Sequence, residues 1–225
     1  MIRPRYPSIL YFGTPVILVS TRNADGTLNI APLSSIFWLG WRCVIGVGPT
    51  SRTTENILRE GDCVVNMPSE DMVDAVDRLA LTTGSDPVPE TKARRGYVHC
   101  ADKFARAGLT PARAETVRAP RIAECPVQFE TRLVAARRFG EGEPEMAGAP
   151  YLFELRVTRV WLDDAILAAG ASDRVDPLKW RPLMMSFQRF FGLGAEAAPS
   201  RLATIPEHMY RGADYERARR EPMEA

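Results

Sequence analysis

The sequence predicts a mainly β domain, an antiparallel barrel carrying a few helices. Three observations predict it. About six short runs have the β-branched or alternating composition of strands. They do not alternate regularly with helical segments, which disfavours a doubly wound parallel sheet. Two late runs, around Val127–Val134 and Tyr151–Thr158, alternate apolar and polar residues, as an antiparallel pair with one buried face does.

The elements follow in order. Met1 to Thr14 is rich in proline and aromatic residues and is expected to pack across a barrel end. Pro15-Val-Ile-Leu-Val-Ser-Thr-Arg22 is a β-branched run and reads as a buried strand. Asn23-Ala-Asp-Gly26 is a turn cluster, with Asp-Gly as the hairpin signal. The returning strand, Thr27 to Ser35, contains Pro32 and so belongs at an edge or a bulge, where unpaired backbone groups can meet a ligand. Trp41 to Val47 is the next strand and ends in Gly48-Pro49.

Thr50 to Thr54 is a hydroxyl-rich turn just ahead of a short helix that continues to Glu60. Either Ser51 or Thr53 can cap that helix, and Gly61 can close it. Cys63 to Met67 is a strand. Ser69, followed by Glu70 and Asp71, reads as another helix start. Met72, Val73, Val76, Leu79 and Ala80 then fall at helical spacing. From Leu81 to Pro120, prolines and glycines break the pattern into a loop-rich insertion with room for two short helices, and loops this long usually serve function. The strand pair follows, joined by a loop from Gly140 to Pro150. Beyond it lie a mixed segment with Lys179-Trp-Arg-Pro182 and a charged tail from Asp214. The whole reads as one domain over 1–225, with a core over about 10–165 and a C-terminal extension over 170–225.

Composition narrows the function classes. Of the 225 residues, 45% are hydrophobic and 25% charged, the balance of a globular domain with a real core. A net charge of +1 gives no bulk attraction to nucleic acid or to an anionic membrane. The four cysteines are widely spaced, and Cys43 and Cys63 sit in apolar runs as buried free thiols do. Two histidines, His99 and His208, make a zinc site improbable. No signal-like or membrane-spanning run is present, so a cytoplasmic location is expected.

Familiar nucleotide and hydrolase motifs are missing. Gly46-Val-Gly48 lacks the third glycine of a dinucleotide fingerprint, and neither a P-loop nor a Gly-x-Ser-x-Gly elbow occurs. The hydroxyl-rich turn is the stronger signal. Thr50, Ser51, Thr53 and Thr54 offer four hydroxyls, Arg52 a guanidinium, and the helix start a positive dipole end, which together suit a phosphate. Capping alone is the competing reading. Lys103, Lys179 and Arg181 are candidates for an anionic ligand, against the default of solvated surface charge. His99 is a candidate proton donor or cofactor contact, against the commoner reading of a solvated or structurally hydrogen-bonded histidine. Trp38, Trp180, Phe187, Phe190 and Phe191 are candidates for stacking, although core and subunit-interface roles are commoner.

Three stretches in order, Asn29-Ile-Ala-Pro-Leu-Ser-Ser35, Ser51-Arg-Thr-Thr-Glu-Asn56 and Gly61-Asp-Cys-Val-Val-Asn66, followed by Glu124-Cys-Pro-Val127, resemble the flavin reductase-like, FMN-binding split-barrel proteins, including the flavoredoxin-like branch. The resemblance covers most of Pro15 to Val160. It implies a six-stranded antiparallel Greek-key split barrel that forms a homodimer, with FMN (or FAD) near the subunit interface. Ser34 and Ser35 would meet the isoalloxazine edge through backbone groups, with Asn29 and Pro32 of the same stretch among the cofactor-binding residues. Ser51, Arg52, Thr53 and Thr54 would hold the phosphate, and Asn66 would lie close to the flavin.

The implied activity is an NAD(P)H-dependent flavin oxidoreductase. NADH or NADPH would be the transient reductant, and a small molecule or free flavin the acceptor. No catalytic side chain stands out, because hydride transfer to a flavin needs no obligatory acid or base. Two alternatives share these motifs or part of them: a non-catalytic flavin binder or electron-transfer flavoprotein, and a barrel holding some other apolar ligand. Neither nucleic acid nor membrane is an expected partner.

Overall fold

A computed structural model describes residues 1–223. The chain opens in an extended segment that reaches β1 (Thr14–Pro15), followed by β2 (Ile17–Arg22) and β3 (Leu28–Leu33). Ile17 and Val19 on one face of β2 are buried in one apolar cluster, and Leu18 on the other face, with Val16 just before the strand, in a second. That explains the run without alternation: a strand covered on both sides has no solvent face to make polar. Each such side chain, fully buried, contributes about 1.5–3 kcal/mol.

Next come β4 (Ile36–Leu39), β5 (Arg42–Val47), α1 (Arg52–Glu60) and β6 (Asp62–Met67). The Thr50–Thr54 stretch is not a turn ahead of the helix, as the sequence suggested. Ser51 is the N-cap, its Oγ accepting from the Thr53 N–H at 3.3 Å, so Arg52, Thr53 and Thr54 form the first turn itself. Gly61 closes the helix at φ 73, a left-handed conformation that glycine adopts without steric penalty.

The insertion begins after α2 (Val73–Asp77), which is shorter than the helical spacing of Met72 to Ala80 suggested. It holds β7 (Thr82–Thr83), α3 (Glu90–Ala93), β8 (Val98–His99), α4 (Lys103–Ala107), β9 (Pro111–Ala112) and β10 (Arg121–Ile122). The two short helices expected there are α3 and α4. The long pair β11 (Val127–Arg138) and β12 (Tyr151–Leu162) follows, then a hairpin of β13 (Met184–Ser186) and β14 (Arg189–Phe191), and finally α5 (Ala213–Ala218).

The main sheet is antiparallel with seven strands in the order β3-β2-β6-β11-β12-β5-β4. The extra strand beyond the six expected is β4, an apolar tetrapeptide bounded by Gly40. Its edge strands, β3 and β4, are joined by only two residues, Ser34 and Ser35. A two-residue link spans at most about 10 Å, so the sheet must curl until its edges meet at that corner. No ladder joins them, which leaves a curled half-barrel split beside Ser34-Ser35. Pro32 sits in the edge strand β3, the place a residue without an N–H can occupy.

The β11–β12 pair differs from expectation on its second face. Gln128, Glu130, Arg156 and Thr158, read as solvent-facing, are all buried. The loop before β10 covers Glu130, whose carboxylate accepts from the Glu115 N–H (2.9 Å), the Thr116 N–H (2.6 Å) and the Trp161 indole N–H (2.7 Å). Those donors satisfy a charge that would otherwise be too costly to bury. Arg156 meets Glu221 at 3.0 Å, and with the Arg42–Asp214 pair at 2.7 Å it fastens the C-terminal segment to the barrel. No helix among the described residues is long and apolar enough to cross a membrane.

Candidate functional site

A cavity of about 690 Å³ opens at the split. That lies within the ~300–1,000 Å³ typical of cofactor clefts. Five parts of the chain supply most of its wall: the opening segment at Tyr11, the edge strand and corner from Asn29 to Ser35, the start of α1, the insertion from Leu79 to Lys103, and the β13–β14 hairpin. Its charged lining is one-sided, with Arg52, Lys92, Arg95 and Lys103 against Asp77.

The cationic side is tied together by hydrogen bonds. Arg52 donates from Nε to the Gly84 carbonyl at 3.2 Å and pairs with Glu55 at 2.6 Å. Lys92 Nζ donates to Thr83 Oγ1 at 3.2 Å, and Lys103 Nζ donates to the Ile30 carbonyl at 2.9 Å. Burial lowers the Lys103 ammonium to about 8, and the neighbouring Lys92 charge adds to the effect. Burial also lowers the Lys92 pKa, opposed by Glu55. Both shifts come chiefly from burial, which disfavours the charged ammonium, and an anion in the cavity would favour it again.

Two further features point to a ligand. Asn29 is 2% exposed; its amide nitrogen donates to Thr21 Oγ1 (3.2 Å) and Thr53 Oγ1 (3.1 Å), but its carbonyl oxygen has no partner. A buried acceptor left unpaired costs about 1–3 kcal/mol, and a donor on a bound molecule would recover it. Gly84 lies where an added Cβ would stand 2.6 Å from that same oxygen. Only glycine lets the β7 end approach so closely.

A model of the flavin reductase-like domain matches residues 9–194. The chain belongs to that family. Among curated proteins, this flavin reductase-like chain is 34% identical over 190 residues to the uncharacterized protein YdfE of Bacillus subtilis, covering 84% of this chain and 88% of that one. Among solved structures, flavoredoxin of Desulfovibrio vulgaris superposes with a TM-score of 0.72 at 21% identity, covering 90% of this chain and 99% of that one. The 2-nitrobenzoate 2-nitroreductase NbaA of Pseudomonas fluorescens gives 0.65 at 18% identity, covering 88% and 89%. These two show the shared fold, and family membership carries the coarse assignment, a flavin-related oxidoreductase.

The flavin reductase-like chain gathers most of the residues singled out by sequence into one place. Asn29, Pro32, Ser34, Ser35, Ser51, Arg52 and Thr53 all line the cavity. Two do not. Thr54 is buried, its hydroxyl donating to the Gly48 carbonyl at 2.8 Å, and it fixes the entry into α1. Asn66 is wholly buried: its amide nitrogen donates to the Leu18 carbonyl and Ser20 Oγ, both at 3.0 Å, and its oxygen accepts from the Ile122 N–H at 2.9 Å. Asn66 is thus a clasp between β2, β6 and β10.

Of the other candidates, Lys103 and Phe190 reach the cavity. His99 does not; its Nδ1 lies 3.2 Å from the Ser85 carbonyl oxygen. Lys179 donates to the Leu167 carbonyl at 2.7 Å, and Arg181 pairs with Glu70 at 3.0 Å. Trp38 and Trp180 pack against the barrel core. Sequence reasoning missed Thr83, Gly84, Lys92 and Arg95. Thr82-Thr83-Gly84-Ser85 is a hydroxyl and glycine run of the same kind as Thr50–Thr54, and was the available signal.

Proposed function

We propose that this chain binds FMN in the split and works as an NAD(P)H-dependent flavin oxidoreductase. The observation that carries the reading is the convergence of Arg52, Lys92 and Lys103 on a cavity bounded by the α1 N-terminus, with the Asn29 oxygen unpaired beside them. A dianionic phosphate answers the cations and the helix dipole together, and a polyol or ring N–H answers the oxygen.

Each residue then has a role at a stated atom. The Arg52 guanidinium, held at Gly84 by Nε, offers its fork to phosphate oxygens. The Ser51 and Thr53 hydroxyls stand at the same helix terminus. Lys103, its ammonium held at the Ile30 carbonyl, places a positive group on that side, where it would stabilise negative charge that builds on a reduced ring. The backbone N–H groups of Ser34 and Ser35, at the corner between the sheet edges, would meet the ligand, the Ser35 carbonyl being taken by the Gly46 N–H at 2.9 Å. Bound FMN would supply the two-electron chemistry, taking a hydride from a reduced nicotinamide and passing electrons to a small acceptor or free flavin.

A homodimer fits the surface. Ile2, Tyr6, Leu10 and Phe12 on the opening segment and Leu202, Met209 and Tyr210 near the end are exposed, more apolar surface than a monomer usually leaves bare. Light scattering on the purified protein should give twice the monomer mass. For the activity, protein reconstituted with FMN should bleach in its visible band when NADH or NADPH is added anaerobically. Bound flavin that stays oxidised with both would favour the non-catalytic flavin binder.

A further inference from the structure

The cavity has a second side that the phosphate reading leaves unused. Opposite in character to the cations, it is built from the β1–β13–β14 sheet and the opening segment, and contributes Tyr11, Met185, Gln188 and Phe190. The β13–β14 turn is two residues long, because Ser186 pairs with Arg189. Those two residues are Phe187 and Gln188, with φ of 46° and 64°.

A two-residue hairpin with both central φ values positive is the type I′ turn, normally filled by Asn-Gly or Gly-Gly. A phenylalanine and a glutamine there are strained, and such strain concentrates at ligand clamps. Among the described residues, only Leu81 also has positive φ without being glycine, and Leu81, like Gln188, lines this cavity. The strained turn is held firmly. Phe187 N–H donates to the Tyr11 carbonyl at 2.9 Å, its ring meets Phe12 edge-on at 4.7 Å, and Val16 N–H donates to the Leu183 carbonyl at 2.8 Å.

We propose that this hairpin is the second-ring subsite, with the Gln188 carboxamide reading the amide edge of a planar heteroaromatic ring that lies against Phe190 and Tyr11. This rests on the FMN reading above and adds which residues select the molecule that exchanges electrons with the bound cofactor. A carboxamide both donates and accepts, so it complements the carboxamide of a nicotinamide and equally the imide edge of a free flavin. Aromatic and thioether walls suit either ring. The two sources separate by half-reaction. The donor half moves a hydride from reduced nicotinamide to bound FMN, a solvent proton completing the reduced cofactor. The acceptor half passes two electrons and two protons to a free flavin.

The test uses full-length protein reconstituted with FMN, with Gln188→Gly, Gln188→Asn and Phe190→Leu. FMN affinity is read by fluorescence quenching. The donor half is read by anaerobic stopped flow with NADH or NADPH, and the acceptor half by how anaerobic steady-state NAD(P)H oxidation depends on the concentration of free FMN. Glycine relieves the positive φ, so a residue that only makes the turn predicts wild-type kinetics for Gln188→Gly. The recognition role instead predicts unchanged FMN affinity, with the half-saturating concentration of one partner raised roughly 3- to 10-fold by Gln188→Gly. It predicts a smaller rise in Gln188→Asn, which keeps both the amide and tolerance of φ > 0, and a rise in Phe190→Leu. The half-reaction affected names the ring as nicotinamide or free flavin. Wild-type values in both halves for Gln188→Gly and Phe190→Leu would overturn the subsite while leaving the FMN reading intact. Failure of the wild-type protein to take up FMN would overturn both.

Discussion

Replacing Arg52 with alanine separates ligand recognition from scaffolding more cleanly than any other single change in this site. In the free protein Arg52 makes two contacts, the ion pair with Glu55 at 2.6 Å and the bond to the Gly84 carbonyl at 3.2 Å. The pair is partly exposed, 29% and 48% for the two side chains, and is worth only about 0.3–0.5 kcal/mol. The bond to Gly84 adds about 0.5–1.5 kcal/mol. Ligand-free stability should therefore fall by roughly 1–2 kcal/mol in all. Binding should lose more, because a guanidinium on a phosphate is a charged hydrogen bond worth about 1.5–3 kcal/mol. That is a loss of about 10- to 150-fold in FMN affinity. Arg52→Lys keeps the charge without the planar fork, and should fall between the two. Fluorescence-quenching titration alongside denaturant unfolding of the ligand-free protein reads both quantities. Unchanged FMN affinity in Arg52→Ala, with the protein folded, would refute phosphate binding at the α1 N-terminus.

Three further outcomes follow from the same geometry. The Lys103 pKa is lowered in the fold to about 8 from 10.5, so between those pH values the unfolded chain binds more protons. Ligand-free stability should rise with pH across that window, by at most about 3 kcal/mol. FMN affinity should fall over the same range as the ammonium is lost. Unfolding and binding titrations on wild type and Lys103→Met check both, the variant lacking the two trends. Asn66→Ala should destabilise the fold by about 1–3 kcal/mol through buried groups left unpaired, while any protein that folds keeps its FMN affinity. Glu221→Ala removes the partner of Arg156 and should lower stability by about 1.5–3 kcal/mol, with FMN affinity retained; calorimetry and quenching measure the two.

What could be read from the sequence was mostly what local pattern encodes. The β2 run, the Asp-Gly hairpin, the edge position of Pro32 and the Ser51 and Gly61 caps all follow from short-range sterics and hydrogen bonding, and the structure has each of them. Alternation failed on β11 and β12, because polar residues such as Glu130 and Arg156 are buried by partners from distant loops and the C-terminal segment. Alternation cannot reveal that kind of cover. The same limit applies to the site. Ser51–Thr53 was legible as a candidate anion site because its groups are contiguous, and all three residues line the cavity. Lys92 and Arg95 come from a loop-rich insertion with no periodicity, and only the folded chain brings them to Arg52. Asn66 shows the reverse case: it sits in a stretch that resembles the family, yet every polar atom of its side chain is spent inside the protein.

The central claim is that the cations at the split hold the phosphate of a flavin, and side-by-side titration with FMN and riboflavin tests it most directly. The two ligands share the ring and the polyol and differ in the phosphate. The account requires FMN to bind at least about tenfold more tightly, with the difference shrinking as salt is added. Equal affinities for FMN and riboflavin, or no uptake of either, would contradict it.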